Sequence, residues 1–522
     1  MADTAHIAVV ADIPRVHAAE RPDKAAVIFG DREMTFAELD QHASRVANGL
    51  IAEGVAPQSR VAVLDKSSDS FFEVLFGITK ANTVLVAVNW RLAAPEIAYI
   101  INDATAEVLF VGSPYFEVVE RIRGDLKTVR KIIALGGAHA EWEAYENWRD
   151  RRKAEDPRVP IAGPDVALQL YTSGTTGNPK GAQLTNDNLL SLLPNSLREW
   201  DWINEDDVNL VAMPLFHIGG TGWALAGMYV GATSVIARET AAAEIIQLIG
   251  KHHVTRSFLV PAILLFMLQT PGVQEADFSS LRLIVYGASP APLPLLRAAI
   301  VTFGCRFAQV YGLTETTGAI TYLRPEEHDP NGGPRMLSCG RPHSFVEIRI
   351  VDAEGKELPA GEVGEIICRT PQNMKGYWNL PDETASTIRG EWLHTGDAGY
   401  LDADGYLYIH DRLKDMIVSG GENIYPAEVE SVLFSHRAVA DVAIIGVPDD
   451  RWGESVKAII VKRPGVEVTE DEIIAFARER IAHYKAPKSV DFADSLPRNP
   501  SGKILKRQLR APYWEGRTRQ VN

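Results

Sequence analysis

Cysteine is scarce: Cys305, Cys339 and Cys368 are the only three in 522 residues. They are odd in number and lack the spacing of a metal cluster, so neither a disulfide framework nor a cysteine metal site is expected. Three buried structural thiols in a reducing compartment are the expectation. Long apolar runs are missing as well. No stretch approaches the roughly 20 residues of a membrane span, so no integral membrane segment is expected. The first residues, Met1 to Pro14, have no basic start, sustained apolar core or cleavage site, which argues against a secretory signal. Arg519-Gln520-Val521-Asn522 carries no peroxisomal tripeptide, and cytoplasm is the expected location. Positive charge is in deficit, with 53 Lys and Arg against 68 Asp and Glu, a net −15. This disfavours broad binding to nucleic acid or anionic membranes but leaves room for a local basic patch that holds a phosphate-rich ligand.

What is present is a chain long enough for a large core and a smaller partner domain. Its composition, 46% hydrophobic and 23% charged, is that of a globular protein. Thr35-Phe36-Ala37-Glu38 has capping-box spacing, and Leu39, Ala43, Val46 and Leu50 continue the helix it opens. Apolar strands at Arg60 to Leu64, Thr83 to Val88 and Glu107 to Val111, with a helix over Pro95 to Asn102, give βαβ alternation and a largely parallel sheet. The alternation resumes with strands at Asn209 to Met213, Thr233 to Ala237, Ser257 to Val260, Leu283 to Tyr286 and Phe307 to Val310. Helices over Ala241 to Gly250 and Leu293 to Phe303 lie between them. From about Ser344 the pattern changes to antiparallel hairpins. Val346 to Val351 pairs with Val363 to Cys368 around a Glu-Gly turn, and Gly399 to Leu401 pairs with Tyr406 to His410 around an Asp-Gly turn. Beyond Lys414 a compact α+β pattern follows, with a helix opened by Pro426, strands at Ala440 to Ile445 and Val456 to Val461, and a helix capped by Thr469 and Glu472.

The chemistry centres on Tyr171-Thr172-Ser173-Gly174-Thr175-Thr176-Gly177-Asn178-Pro179-Lys180-Gly181, after the apolar strand Val166 to Leu170. Three glycines allow close backbone approach to an anion, four hydroxyls add donors, and Lys180 adds a charge. It is not a Walker-type loop, which would end Gly-Lys-Ser/Thr and enter a helix. Taken alone, the stretch also reads as a polar surface turn. Further segments follow strands, where ligands of open α/β sheets sit. They are Gly287-Ala288-Ser289-Pro290, Tyr311-Gly312-Leu313-Thr314-Glu315, His394-Thr395-Gly396-Asp397, Asp411-Arg412-Leu413-Lys414-Asp415 and Ser501-Gly502-Lys503. Each has a plain alternative: a strand exit, a solvated acid, a turn or cap aspartate, a surface lysine.

Together, in this order, these segments resemble the adenylate-forming superfamily: acyl-CoA synthetases, adenylation domains of peptide synthetases, and luciferases. The resemblance runs from Thr35 to Ile504. It implies an α/β fold with a large N-terminal domain (1–411) of parallel α/β sheets and a small barrel-like antiparallel part. A hinge (412–414) and a small mobile α+β C-terminal domain (415–522) follow. ATP and AMP would be held by Thr172, Ser173, Gly174, Thr175, Thr176, Gly177, Lys180, Gly287, Ala288, Ser289, Tyr311, Gly312, Thr314, Asp397 and Arg412. Gly287 to Ser289 would line adenine, and Asp397 would accept from the ribose hydroxyls. Glu315 and Thr172 would hold Mg2+, because a carboxylate beside a triphosphate needs a hard cation between them. Lys503 would stabilise charge on the reacting carboxylate and α-phosphate. Lys414 would be the hinge.

Within the family the acyl-CoA synthetase, or fatty-acid–CoA ligase, branch fits best. Few residues follow Lys503, so no fused carrier domain is expected. His217, after Met213-Pro214-Leu215-Phe216, stands where amino-acid-activating domains tend to place an aspartate. Coenzyme A would meet Gly420, Gly421, Trp452, Arg91 and Lys488, with Lys485 as a further candidate, although Trp452 also reads as a core residue. The acyl pocket is expected at His217, Gly219, Gly220, Val260, Tyr286, Gly312 and Gly318, which offer no lysine or arginine. A medium- or long-chain fatty acid or an arylalkanoic acid fits, and a dicarboxylate is disfavoured. A separate carrier protein as acceptor stays open, as do a homodimer and a nucleotide-binding protein without turnover.

Overall fold

The computed structural model describes residues 4–172, 178–200, 203–289, 291–329, 331–412, 415–419, 422–449, 451–498 and 503–515. Among them the strands form four sheets. The first has eight strands in the order Gly376–Tyr377, Lys180–Thr185, Val166–Thr172, Val84–Ala87, Arg60–Leu64, Val108–Gly112, Lys131–Leu135 and Glu143–Ala144. Its centre is parallel, as βαβ alternation requires, and Val84–Ala87, Arg60–Leu64 and Val108–Gly112 are buried along their whole length, so they read as near-continuous apolar runs. The Thr35 to Glu38 capping box opens the helix Phe36–Ala52 in its expected reciprocal form.

The second sheet has nine strands, in the order Arg341–Pro342, Gly318–Leu323, Arg306–Leu313, Leu283–Gly287, Arg256–Leu259, Val208–Val211, Thr233–Ile236, Ala25–Phe29 and Arg32–Thr35. The N-terminal hairpin Ala25–Phe29/Arg32–Thr35 gives no sequence alternation long enough to announce itself, yet it extends this sheet by pairing parallel to Thr233–Ile236. The third sheet is antiparallel and contains both expected hairpins, Glu347–Val351 with Gly364–Arg369 and Trp392–Leu401 with Leu407–Arg412. The fourth holds Val439–Asp449 against Gly453–Lys462, flanked by Pro426–Phe434 and by Glu470–Arg478 with its Thr469/Glu472 capping box. The molecule thus has a large N-terminal domain and a small C-terminal one.

Val166–Thr172 and Lys180–Thr185, on either side of residues 173–177, pair as antiparallel strands. Two expectations change. The Tyr311 strand does not stop at Val310 but runs to Leu313, because a bulge between Tyr311 and Gly312 keeps the pairing with Gly318–Leu323 alive. Asp397 lies inside a ten-residue strand, Trp392–Leu401, so it is neither a turn nor a cap residue. Cys339 and Cys368 are buried and Cys305 half-buried; all three are free, and burial pushes each thiol up to about 12, which fits structural thiols.

Candidate active site

The site grows from the turn between Arg306–Leu313 and Gly318–Leu323. Gly312 has no choice of residue, since a Cβ there would fall 1.8 Å from the carbonyl oxygen of Gly318. The turn is then bound to a segment from the third sheet's connection. Met374 N–H donates to the Glu315 carbonyl (2.8 Å), Thr317 Oγ1 donates to the Gln372 carbonyl (2.6 Å), and Gln372 Nε2 donates to the carbonyls of Thr316 (2.7 Å) and Ala319 (2.9 Å). Glu315 is therefore carried on a turn with few degrees of freedom.

Its carboxylate oxygen Oε1 accepts from Tyr377 Oη at 2.8 Å and lies 3.4 Å from Thr172 Oγ1. Lys180 Nζ lies 5.3 Å from the centroid of the Tyr377 ring and is ion-paired with Glu383. Thr172 and Lys180 are themselves direct partners across the hairpin that flanks residues 173–177. A few strands away, Tyr311 Oη donates to Asp397 Oδ2 at 2.8 Å, and Asp397 is paired with Arg412 across Trp392–Leu401 and Leu407–Arg412. Asp397 is buried, and burial raises the Tyr311 hydroxyl well above the ordinary tyrosine range, with the Asp397 charge adding to it.

One carboxylate and one hydroxyl are too few to hold a divalent ion with protein ligands alone. Among the described residues no cluster of three His, Cys, Asp or Glu could do so either. A pair of hard oxygens does suit magnesium, which keeps waters and takes substrate phosphate oxygens as ligands. Glu315 and Thr172 fit that group.

His217 stands at the N-cap position of the helix Ile218–Tyr229, with its ring 4.5 Å from Phe216. Burial first, then the charge of Arg91, pushes its pKa down to about 4, so the ring is neutral at pH 7. Gly220 is forced, because a Cβ would lie 2.2 Å from the Pro214 carbonyl oxygen. A Cβ on Gly219 would meet Phe258 at 3.0 Å, and one on Gly318 would meet Leu192 at 3.3 Å and Ile218 at 3.8 Å. His217, Gly219 and Gly318 thus share an apolar wall with Phe258, Trp223 and Ile218, and Val260 follows the Phe258 strand as the N-cap of the next helix. Tyr286 stands apart from this wall: it is fully buried and its hydroxyl meets Nε2 of His328 at 3.1 Å.

Gly287 ends the Leu283–Gly287 strand, where a Cβ would strike the Val310 carbonyl oxygen at 2.3 Å. Ala288 follows with φ +65°, a left-handed turn that exposes it, and Ser289 is half-buried. Thr314 accepts from Thr317 N–H within the Glu315 turn. Trp452 is 41% exposed, so it is not a core residue. Arg451 lies 4.6 Å and Lys488 Nζ 5.1 Å from its ring centroid. Arg91 lies 4.6 Å from the ring of Trp90, and Lys485 is engaged by Glu428 at 2.8 Å. Lys503 immediately precedes Ile504, which bridges to Arg498 and packs on the small domain's core. Ser173, Gly174, Thr175, Thr176, Gly177, Lys414, Gly420 and Gly421 lie outside the described residues. Sequence reasoning missed Tyr377, Gln372 and Glu383. The only signal was the Gly376-Tyr377-Trp378 run, and a two-residue strand has no periodicity to read.

The family model for AMP-binding enzymes matches residues 15–378, and the one for the AMP-binding enzyme C-terminal domain matches 428–503. The chain is 43% identical to the fatty acid–[acyl-carrier-protein] ligase ScoC of Streptomyces coeruleorubidus, over 97% of this chain and 96% of that protein. It is 39% identical to a feruloyl-CoA synthase of an Amycolatopsis species, over 94% and 96%. The solved structure of the anthranilate CoA ligase AuaEII with anthranoyl-AMP superposes with a TM-score of 0.92 at 31% identity, covering 97% of this chain and 98% of that one. With both family models matched in order and these relatives aligned nearly end to end, the chain belongs to the AMP-binding enzymes, as an acid–thiol ligase of the adenylate-forming kind.

Proposed function

We propose that this enzyme activates a medium- or long-chain fatty acid or an arylalkanoic acid with ATP and passes the acyl group to coenzyme A. The observation that carries the reading is the meeting of Thr172, Glu315 and Lys180 around Tyr377, with Glu315 carried on the turn that follows the strand of Tyr311, the partner of buried Asp397.

In the first half-reaction a carboxylate oxygen of the acid attacks the α-phosphorus of ATP. A C–O–P anhydride bond forms, and the bond from the α-phosphorus to the bridging oxygen breaks, releasing pyrophosphate. Lys180 holds the departing phosphates, Asp397 orients the ribose, and Lys503 faces the charge that develops at the acid and the α-phosphate. Glu315 and Thr172 would hold magnesium, which when bound offsets phosphate charge. In the second half-reaction the sulfur of coenzyme A attacks the acyl carbon, a C–S bond forms, AMP leaves with the anhydride oxygen, and the thiol proton passes to solvent. A hinge at Lys414 would exchange Lys503 for the face near Gly421 between the two steps. On that reading Lys414→Pro spares one half-reaction and damages the other.

The neutral His217 ring and the apolar wall of Phe258, Trp223, Leu192 and Ile218 support an uncharged acyl tail. The relatives' names divide between fatty and aromatic acids, and both suit such a wall. A carrier protein as acceptor is the second reading, favoured by the similarity to ScoC over nearly the full chain.

The test is release of AMP and pyrophosphate with a panel of carboxylic acids, with coenzyme A, with a phosphopantetheinyl carrier protein, or with neither, for wild type and Lys503→Ala. Release that depends on the acid, is accelerated by coenzyme A and is lost in the variant supports the proposal. Acceleration by the carrier alone moves the acceptor to the second reading, and a preference for acetate contradicts the pocket assignment.

A further inference from the structure

Tyr377 stands where two assigned groups meet, and its own placement is unusually fixed. Its strand, Gly376–Tyr377, lies antiparallel on Lys180–Thr185, with Tyr377 opposite Ala182. The next residue is pinned on three sides. Trp378 N–H donates to the Gly181 carbonyl (2.8 Å), its indole Nε1 donates to the Asp103 carbonyl (2.9 Å), and the Arg60 guanidinium stacks 3.4 Å from the ring centroid. Upstream, Gln372 and Met374 grip the Glu315 turn. The phenol and the carboxylate it touches are therefore held by one continuous stretch, residues 372–378.

The Tyr377 hydroxyl donates to Oε1 of Glu315, the oxygen that also lies 3.4 Å from Thr172 Oγ1. Among the described residues Oε2 accepts no hydrogen bond, so it is the oxygen left to a cation. A phenol, with an ordinary pKa of about 10, is protonated at neutral pH, so the Tyr377 hydroxyl is a donor. The ring's other neighbour is Lys180, whose ammonium lies over its π face.

We propose that Tyr377 is a positioning residue for ATP: its hydroxyl turns Glu315 so that Oε2 meets the magnesium ion, and its ring steers Lys180 towards the phosphates. This rests on the roles given to Glu315 and Lys180 above. A carboxylate free to rotate loses the orientational advantage of a fixed one, and a hydrogen bond to a charged group typically corresponds to about tenfold in an equilibrium constant.

The test is calorimetric binding of an ATP analogue with an α,β-methylene bridge, with and without Mg2+, so that no turnover is read. For Tyr377→Phe, which keeps the ring, affinity with magnesium should fall about tenfold, while affinity without magnesium stays within twofold of wild type. For Tyr377→Leu, which also removes the ring, affinity without magnesium should fall as well, by about threefold. If Tyr377→Phe binds the magnesium complex like wild type, or loses affinity equally with and without magnesium, the proposal is overturned. If the wild type itself shows no magnesium response, the assignment of Glu315 fails and takes the proposal with it.

Discussion

Tyr311 and Asp397 lie 86 residues apart in sequence and belong to different sheets, yet the tyrosine hydroxyl donates to the aspartate carboxylate across 2.8 Å in a buried setting. The carboxylate proposed for the ribose is thus oriented before any nucleotide arrives. Tyr311→Phe removes the donor and keeps the ring. The expected result is an ATP KM raised roughly tenfold, the size of one hydrogen bond to a charged group, with kcat within about twofold. Steady-state kinetics at saturating acid measures it; an unchanged KM would dissociate Asp397 from nucleotide binding.

Lys180 is ion-paired with Glu383. An incoming pyrophosphate must displace that carboxylate. Because the Glu383 side chain is 42% exposed, the pair is well screened and the effect is modest. Glu383→Gln should tighten pyrophosphate binding about threefold, seen as stronger product inhibition, and the difference should shrink at about 1 M salt, where screening is short-ranged. A variant with wild-type inhibition at low salt would separate Lys180 from the departing phosphates.

His328 offers a pH dependence with a definite sign. Its Nδ1 lies 2.9 Å from the Arg324 carbonyl, which can only accept, so Nδ1 carries the proton and Nε2 accepts from Tyr286. Burial pushes its pKa down to about 4, against an ordinary value near 6.5. The folded state prefers the neutral ring, so this stabilisation is complete above about pH 6.5 and is lost as pH falls through 4. Urea unfolding at pH 7 and pH 4.5 should show wild type losing about 2 kcal/mol more than His328→Gln. Parallel losses would mean that the ring titrates normally.

Two glycines separate steric need from backbone need. Gly312→Ala drives a Cβ into the Gly318 carbonyl and should cost more than about 2 kcal/mol, with loss of adenylation as the bulge collapses. Gly355→Ala, at φ +81° in open space, should cost about 1 kcal/mol and leave activity intact. Thermal unfolding and pyrophosphate release on the two variants check both statements. Equal losses would remove the special status of Gly312.

Much of this was legible before any coordinates. Strands buried on both faces, such as Arg60–Leu64 and Leu283–Gly287, announce themselves as apolar runs, and the Thr35 and Thr469 capping boxes mark helix starts to the residue. The segments singled out for chemistry each have a plain structural alternative, and it is their resemblance, in that order, to one family that marks them. What stayed hidden depends on long-range pairing. The sequence does not say that Ala25–Phe29 pairs with Thr233–Ile236, or that a tyrosine near position 377 should lie on an acid near 315. Gln372 gives no signal in the sequence, yet it is fully buried, and its amide supplies donors to two turn carbonyls.

The grip of residues 372–374 on the 315–319 turn bears on how such enzymes can be recombined. Backbone and amide contacts at both ends make the two stretches one mechanical part, although the whole Glu347–Val351/Gly364–Arg369 hairpin lies between them in the chain. A chimera that takes the 306–323 hairpin from one parent and its third sheet from another would splice through that part. Crossovers placed before Arg306 and after Trp378 would carry it over whole.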